Sequence, residues 1–201
     1  MKLIAGVLMA YLLGSIPTSY VVARLAAGID LREHGSRNLG ATNLYRVLGL
    51  KYAVPVGLFD VLKGAIPVLW IAPWSGDSPW LPVVLGAVAV LGHIYSVFVR
   101  FRGGKGVATA AGVVAALAPA AFAASAAVWI LVVWISGYVS VGSLSAALFF
   151  PLGVLLFGPQ DERILAVGIG LALLIVYTHR SNIQRLLRGT ESRLRHKQAA
   201  S

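Results

Sequence analysis

Cysteine is absent from the chain, which excludes structural disulfides, thiol catalysis and zinc–thiolate sites. Charge is scarce as well. Asp, Glu, Lys and Arg together make up 12% of the residues, against about 25% in ordinary soluble domains. Acid is the scarcer sign, with seven Asp and Glu beside 17 Lys and Arg. No carboxylate pair, HExxH helix or G-x-S-x-G elbow occurs, so metal-dependent hydrolysis and an acyl-serine mechanism both lose ground. No metal and no cofactor is expected. A Walker loop is missing too, because Gly106 and not Ser or Thr follows Lys105.

What is present in quantity is apolar. Hydrophobic residues form 58% of the 201 and the mean hydropathy is +0.82, so the expected fold is an all-α integral membrane protein of one domain, residues 1–201. Residues 3–23 are long enough to cross ~30 Å of hydrocarbon, and no small-residue cleavage pattern marks them as a signal peptide. Further apolar segments lie at about 53–73, 80–99, 107–118, 120–136, 140–158 and 162–178. The fourth is thin for a span and its Ala and Gly content suits close packing against other helices.

Net charge +10 raises nucleic acid as a partner, but the cations sit between the apolar segments. Fourteen of the 17 fall in three clusters, Arg24 to Lys51, Arg100 to Lys105 and Arg180 to Lys197. Two spans across 107–136, turning at Pro119, put all three clusters on one side. The positive-inside bias then predicts seven spans, N-terminus outside and C-terminus in the cytoplasm, with 179–201 a cytoplasmic basic tail. Membrane lipid and anionic substrates are the expected partners, not nucleic acid. No feature demands an oligomer, and a monomer is compatible with all of them.

The densest chemistry lies at VFVRFRGGKGVAT (97–109). Gly103, Gly104 and Gly106 allow close backbone approach, the first amides of the following helix lack partners, and Lys105 adds a mobile charge. The stretch reads as a phosphate cradle at a membrane surface, or more plainly as a basic loop with glycine stops. The long inner loop at 28–49 offers Ser36, Asn38, Asn43 and Arg46 to a polar ligand. Gly14 to Ser19 interrupts the first span with Pro17, giving either a kink whose freed carbonyls Ser and Thr meet or one polar wall of a site. Asp60 and Lys63 share a helix face inside a span, where charges pair and face inward, which suits either a structural ion pair or a place in a substrate pocket. His93 reads as a packing residue. In the tail, Ile183, Leu186 and Leu187 suit a lipid-facing stripe, whereas His179, Asn182 and Glu191 are not required by it. A histidine at such a surface has a pKa suited to proton transfer near neutral pH.

Five stretches, GSIPTSYVVARL (14–25), GSRNLGATN (35–43), FDVLKG (59–64), GHIYSVFVRFRGGKGVAT (92–109) and HRSNIQRLLRGTESR (179–193), together resemble the bacterial acyl-phosphate-dependent glycerol-3-phosphate acyltransferases. They occur in that family's order from end to end of the chain. Arg37 departs from it, since members often carry glycine there. The resemblance implies a multi-pass enzyme of the bacterial inner membrane. It would transfer a fatty acyl group from acyl phosphate to the sn-1 hydroxyl of glycerol 3-phosphate, releasing lysophosphatidate and phosphate. It further implies that Ser36 and Arg46 belong to the site, that Gly103 to Gly106 bind phosphate, and that His179 and Asn182 are needed for activity. Ser143 carries over as a binding residue and Glu191 as a tie for the tail. Another acyltransferase family uses His-x-x-x-x-Asp, a spacing that none of the four histidines here satisfies. The rival reading is a small anion or phosphate transporter, which needs polar groups continuing to the outer face.

The lack of native cysteine gives the topology a clean test. A cysteine placed at Ala120 is expected to react with an impermeant thiol reagent added outside intact cells, and one at Lys197 is not. The reverse labelling would overturn the seven-span reading.

Overall fold

A proline inside a membrane helix removes one amide donor and crowds the carbonyl four residues back, and the first apolar segment breaks where that rule requires. The computed structural model describes residues 1–194, and over them the chain is helical with no strand. The predicted span 3–23 is two helices, α1 (Lys2–Ser15) and α2 (Thr18–Ala27), parted at Ile16–Pro17. The carbonyls freed there are met from other helices. Ser96 donates its hydroxyl to Ser15 O. Lys63 Nζ donates to Ile16 O at 2.9 Å, and so does the Thr18 amide at 3.0 Å. Of the two readings of Gly14 to Ser19, the kink is the one that forms, with a lysine supplying much of the compensation.

The loop 28–40 leads into the short α3 (Ala41–Leu48), and Gly49 turns the chain into α4 (Leu50–Ile66). Pro67 opens a π-turn segment, Pro67–Ile71, before α5 (Ala72–Ser75) completes this second long apolar element. Then come α6 (Leu81–Ile94), α7 (Val107–Leu117), α8 (Pro119–Ser136), α9 (Val139–Phe157) and α10 (Glu162–Thr178). The last helix, α11 (Arg180–Leu187), bends away from α10 by 56°.

Five helical segments are long and apolar enough to span, namely Lys2–Ala27, Leu50–Ser75, Leu81–Val99, Pro119–Ser136 and Val139–Phe157, and there are six if the bent pair α10–α11 is counted as one. The predicted fourth span, α7, ends after 11 residues, about 16 Å of helix. It sits inside the bundle because small residues let it. Gly64 of α4 lies on the Thr109 carbonyl and Gly112 of α7 on the Val61 carbonyl, so a β-carbon at either glycine would collide with backbone. Val113 is completely buried beside Val68 and Val90. Large side chains such as Leu8, Leu58, Trp70, Ile130, Trp134 and Leu173 instead cover the outer surface, the arrangement expected of a body whose solvent is hydrocarbon.

The three basic clusters meet at one end of the bundle. Arg46 Nη2 donates to Ser192 O at 3.0 Å, joining the first cluster to the third. Lys105 Nζ donates to Asn182 Oδ1, joining the second to the third. The Leu194 amide donates to Gly137 O at 2.7 Å, which lays the tail across the α8–α9 turn. Of the predicted basic tail, residues 195–201 lie outside the described residues.

Asp60 and Lys63 are 2% and 1% exposed and 2.8 Å apart, and Thr18 Oγ1 adds a hydrogen bond to Asp60 Oδ1 at 3.1 Å. Removing one partner of such a pair leaves an uncompensated buried charge, at a cost of about 3–5 kcal/mol. Lys63→Met is therefore expected to lower the thermal unfolding temperature in detergent sharply, and the double change Asp60→Asn/Lys63→Met to recover more than half of the loss. A single variant as stable as the parent would show that the pair does not hold the break.

Candidate active site

The Arg100–Gly106 loop enters the protein instead of skirting it. Arg100 and Phe101 take left-handed backbone conformations, φ 55° and 59°, and turn the chain back beneath the end of α6. Gly103 N donates to Ile94 O at 2.9 Å and Gly104 N to His93 O at 3.1 Å. A β-carbon at Gly103 would meet the His93 carbonyl, and one at Gly104 the His93 ring and Leu39 O. These two amides are thus already committed within the protein. The expectation that both bind phosphate gains no support from these amides, and the room that each glycine leaves serves close approach. Gly106, at φ 82°, caps α7, and Gly106, Val107 and Ala108 line the cavity described below, where first-turn amides have no partners in their own helix.

Lys105 is carried inward by this loop and held at two points. Thr178 Oγ1 donates to its carbonyl at 3.1 Å, and its ammonium donates to Asn182 Oδ1. Asn182 Nδ2 in turn donates to Glu191 Oε1 at 2.6 Å. Ser140 Oγ donates to the same oxygen at 2.8 Å and Arg185 Nε to Oε2 at 2.7 Å. Burial lowers the Lys105 pKa to about 8; Glu191 works the other way and Arg185 and Arg46 add to the lowering. Burial alone would raise the Glu191 carboxyl, but donation from Asn182, Ser140 and Arg185 outweighs it and leaves the pKa below its usual value.

His179 caps the end of α10 and is 2% exposed. Its Nδ1 lies 2.8 Å from Ile175 O. A carbonyl only accepts, so Nδ1 carries the proton and Nε2 is the free acceptor. Burial first, then the Lys105 charge, lowers the pKa to about 4. The expectation of a histidine titrating near neutrality is corrected, since this imidazole stays neutral through that range.

The long loop supplies the remaining polar groups. Asn43, 1% exposed, accepts from the Ser36 amide at 2.8 Å and donates to the His34 and Asn38 carbonyls at 3.1 and 3.0 Å. Its amide thus shapes the loop, and the residue also borders the cavity described below. Ser36 and Asn38 stand on the loop so formed and line the cavity. Arg46 reaches it from α3 with a buried Nε that has no partner among the described residues. Ser143 lies on the wall, but its hydroxyl donates to Val139 O at 2.9 Å and accepts from Trp129 Nε1 at 3.3 Å, so it has no proton left for a phosphate oxygen.

The cavity has a volume of about 520 Å³ and two unlike parts. Its head gathers Ser36, Asn38, Arg46, Lys105, His179 and Asn182. Its arm runs between α7, α8, α9 and α10, walled by Val114, Phe122, Trp129, Phe150 and Leu171. Along α9 the lining extends from Val139 to Phe150, about 16 Å of helix. Asp60 and His93 also border it, so the buried pair underlies the site as well as the break. Sequence reasoning missed His93, Ser140, Thr178 and Arg185. Thr178 adjoins His179 and Arg185 lies six residues from its partner Glu191, so both were within reach, whereas His93 and Ser140 face distant segments.

A head of cations joined to an apolar arm suits a molecule with a phosphate at one end and a hydrocarbon chain at the other. The family profile described as glycerol-3-phosphate acyltransferase matches residues 4–189. The chain belongs to the glycerol-3-phosphate acyltransferase family. Curated members from Desulforudis audaxviator and Trichlorobacter lovleyi are each 46% identical, over 92% of this chain and 92% and 94% of theirs. A crystal structure of PlsY (YgiH), an integral membrane glycerol 3-phosphate acyltransferase, in its glycerol 3-phosphate form matches with TM-score 0.89 and 43% identity over 96% of both chains. Its lysophosphatidic acid form matches at 0.86 and 42%, over 96% of this chain and 95% of that one. The acyltransferase is thus an integral membrane enzyme with a helical core shared by a solved relative.

Because Gly104 has no room for a β-carbon, Gly104→Ala is expected to push the loop off α6 and move Lys105. A misplacement of about 1 Å costs on the order of 10²-fold in turnover. The check is kcat with thermal stability measured beside it. Normal turnover in a folded Gly104→Ala protein would show that close approach is not what the glycine provides.

Proposed function

We propose that this acyltransferase takes its acyl group from a fatty acyl phosphate and works at the cytoplasmic face of the bacterial inner membrane, in a seven-span topology with the N-terminus outside. The observation that carries the reading is the single cavity joining the cationic head to the apolar arm. Lys105, Arg46 and the first amides of α7 hold phosphate oxygens, and the acyl chain lies in the arm. The clustering of the cations at one end of the bundle supports the orientation, by the bias of such residues to the inside.

In the transfer, the sn-1 oxygen of glycerol 3-phosphate attacks the acyl carbonyl carbon. The carbon–oxygen bond to phosphate breaks, and inorganic phosphate leaves with the electron pair. Charge gathers on the departing phosphate, where a preorganised lysine and arginine in a water-poor pocket have the largest effect. His179 offers neutral Nε2 as a hydrogen-bond acceptor that orients the attacking hydroxyl. With its basicity lowered by burial and by Lys105, it is a poor proton sink. A substrate phosphate, with a second pKa of about 6, takes the proton instead. Asn182 and Glu191 position Lys105. The rival transporter reading loses support because the arm is walled by side chains such as Val114, Phe122 and Phe150, which offer an anion no polar contact.

The direct test is purified protein given glycerol 3-phosphate with acyl phosphate or acyl-CoA as donor, with phosphate release and lysophosphatidate measured. Turnover with acyl-CoA alone would overturn the donor assignment. Lys105→Ala is expected to lower kcat roughly 10²–10³-fold, as for loss of a group that stabilises developing charge, in a protein that still inserts and folds. Near-normal turnover would reduce the loop to a topological signal.

The pH profile separates the two titrating groups. Lys105 is charged below its pKa of about 8, so kcat/KM is expected to fall as pH rises through that value. An acidic limb near pH ~6 belongs to the substrate phosphate and is expected to persist in His179→Gln, which should keep part of the rate because an amide can still accept from the hydroxyl. A dead His179→Gln enzyme with unchanged acceptor binding would restore His179 as the base.

A further inference from the structure

Beside the head of the main cavity lies a second one of about 390 Å³ that shares Ser36, Asn38 and Lys105 with it. Among the described residues five cations border this cleft (Arg37, Arg102, Lys105, Arg180 and Arg185), and no Asp or Glu does. Three of the five are engaged elsewhere, Lys105 with Asn182. Arg185 pairs with Glu191 at 2.7 Å, while Arg180 donates to Tyr177 O at 3.1 Å and stacks over the Tyr177 ring. Arg37 and Arg102 are exposed, and among the described residues neither forms an ion pair.

Arg37 is in addition held at φ 61°, in the left-handed region that glycine enters freely and a residue with a β-carbon enters at a cost. That conformation seats its side chain at the cleft, between the two residues of the loop that border both cavities, Ser36 and Asn38. A concave surface bordered by one sign of charge against low-dielectric walls concentrates counter-ions and raises their rate of capture.

We propose that the second cavity is a capture site for the phosphate dianion of the water-soluble acceptor, from which the acceptor passes over Lys105 into the reaction head, and that Arg37 and Arg102 are its selecting charges. This rests on the acyltransferase reading above. The cleft is distinct from the reacting head because neither arginine borders the main cavity. Both act on the capture of the acceptor and touch no reacting atom. The same route serves inorganic phosphate on its way out.

The test uses the full-length enzyme in neutral detergent, comparing the parent with Arg37→Gly, Arg102→Gln and the double variant. At low salt the double variant is expected to lose about tenfold in kcat/KM for glycerol 3-phosphate, the lower range of electrostatic steering. Its kcat at saturation and its KM for acyl phosphate should stay within twofold of the parent. High salt should close the gap, because exposed charges are screened. A loss in kcat equal to that in kcat/KM, or a loss indifferent to salt, would overturn the proposal.

Titration of inorganic phosphate by calorimetry, with no substrate present, is expected to show about tenfold weaker binding in the double variant. Unchanged binding would count against the cleft even if the parent proved inactive as an acyltransferase, so the two readings fail separately. Assays in phosphatidylcholine vesicles with and without phosphatidylglycerol complete the set. A defect confined to the anionic vesicles would make the cleft a seat for lipid headgroups and overturn the assignment. Arg37→Gly, which relieves the backbone, is expected to unfold at or above the parent's temperature and so serves as the folding control.

Discussion

The structure turns on two backbone hydrogen bonds, Gly103 N to Ile94 O and Gly104 N to His93 O. They fold a basic loop back under the helix it follows. That carries a lysine, which water would otherwise hold at the surface, into a place where its ammonium is mostly buried. Each bond is worth only about 0.5–1.5 kcal/mol net, far less than the cost of burying an unpaired charge. The loop stays because the charge is met on arrival by Asn182 and, behind it, by Glu191. Remove that support and the favourable position for Lys105 is outside. The tail from Asn182 to Glu191 is thus part of the site's construction, although in sequence it reads as a surface anchor.

A second constraint comes from the solvent. In hydrocarbon every backbone group must find its partner within the protein, and this chain breaks a span at Pro17. The break is permitted because Ser96 and Lys63 reach the freed carbonyls from other helices. Lys63 in turn needs Asp60. The same Asp60 borders the cavity, so the group that makes the break tolerable also contributes to the electrostatic floor of the site. Stability and chemistry share residues here because a protein of this size has few charges to place inside.

The cavity's division follows from which residues its walls could be. The helices α7 to α10 offer mostly Ala, Val, Leu and Phe toward one another, and small side chains leave the volume that becomes the arm. The head lies where three polar loops converge, and it is cationic because the acids nearby are already satisfied. Glu191 is hydrogen-bonded on both oxygens, and Asp30 is held by Arg24 and Arg32. What remains free to meet a ligand is positive charge, the α7 amides and the neutral Nε2 of His179.

Composition and periodicity determined much of this. Hydropathy announced a helical membrane protein, and the boundaries of α7 through α10 fell within a residue or so of the predicted segments, since a helix in lipid ends where apolar residues end. The five motifs pointed to the family because they were long and in order. Sequence could equally nominate Lys105, Arg46 and His179, whose side-chain chemistry is scarce in such a chain. It could not show what lies opposite a residue. Asn43 borders the cavity, as a ligand-binding residue would, yet its amide also ties together the carbonyls of its own loop. Gly103 and Gly104 read as amide donors, yet α6 takes their amides. His179 reads as a residue titrating near neutrality, yet burial and Lys105 put it far from there. Residue type sets what a group can donate, accept or charge, and that much is local. Which partner claims it first, and how much water is left around it, is decided only when distant segments pack.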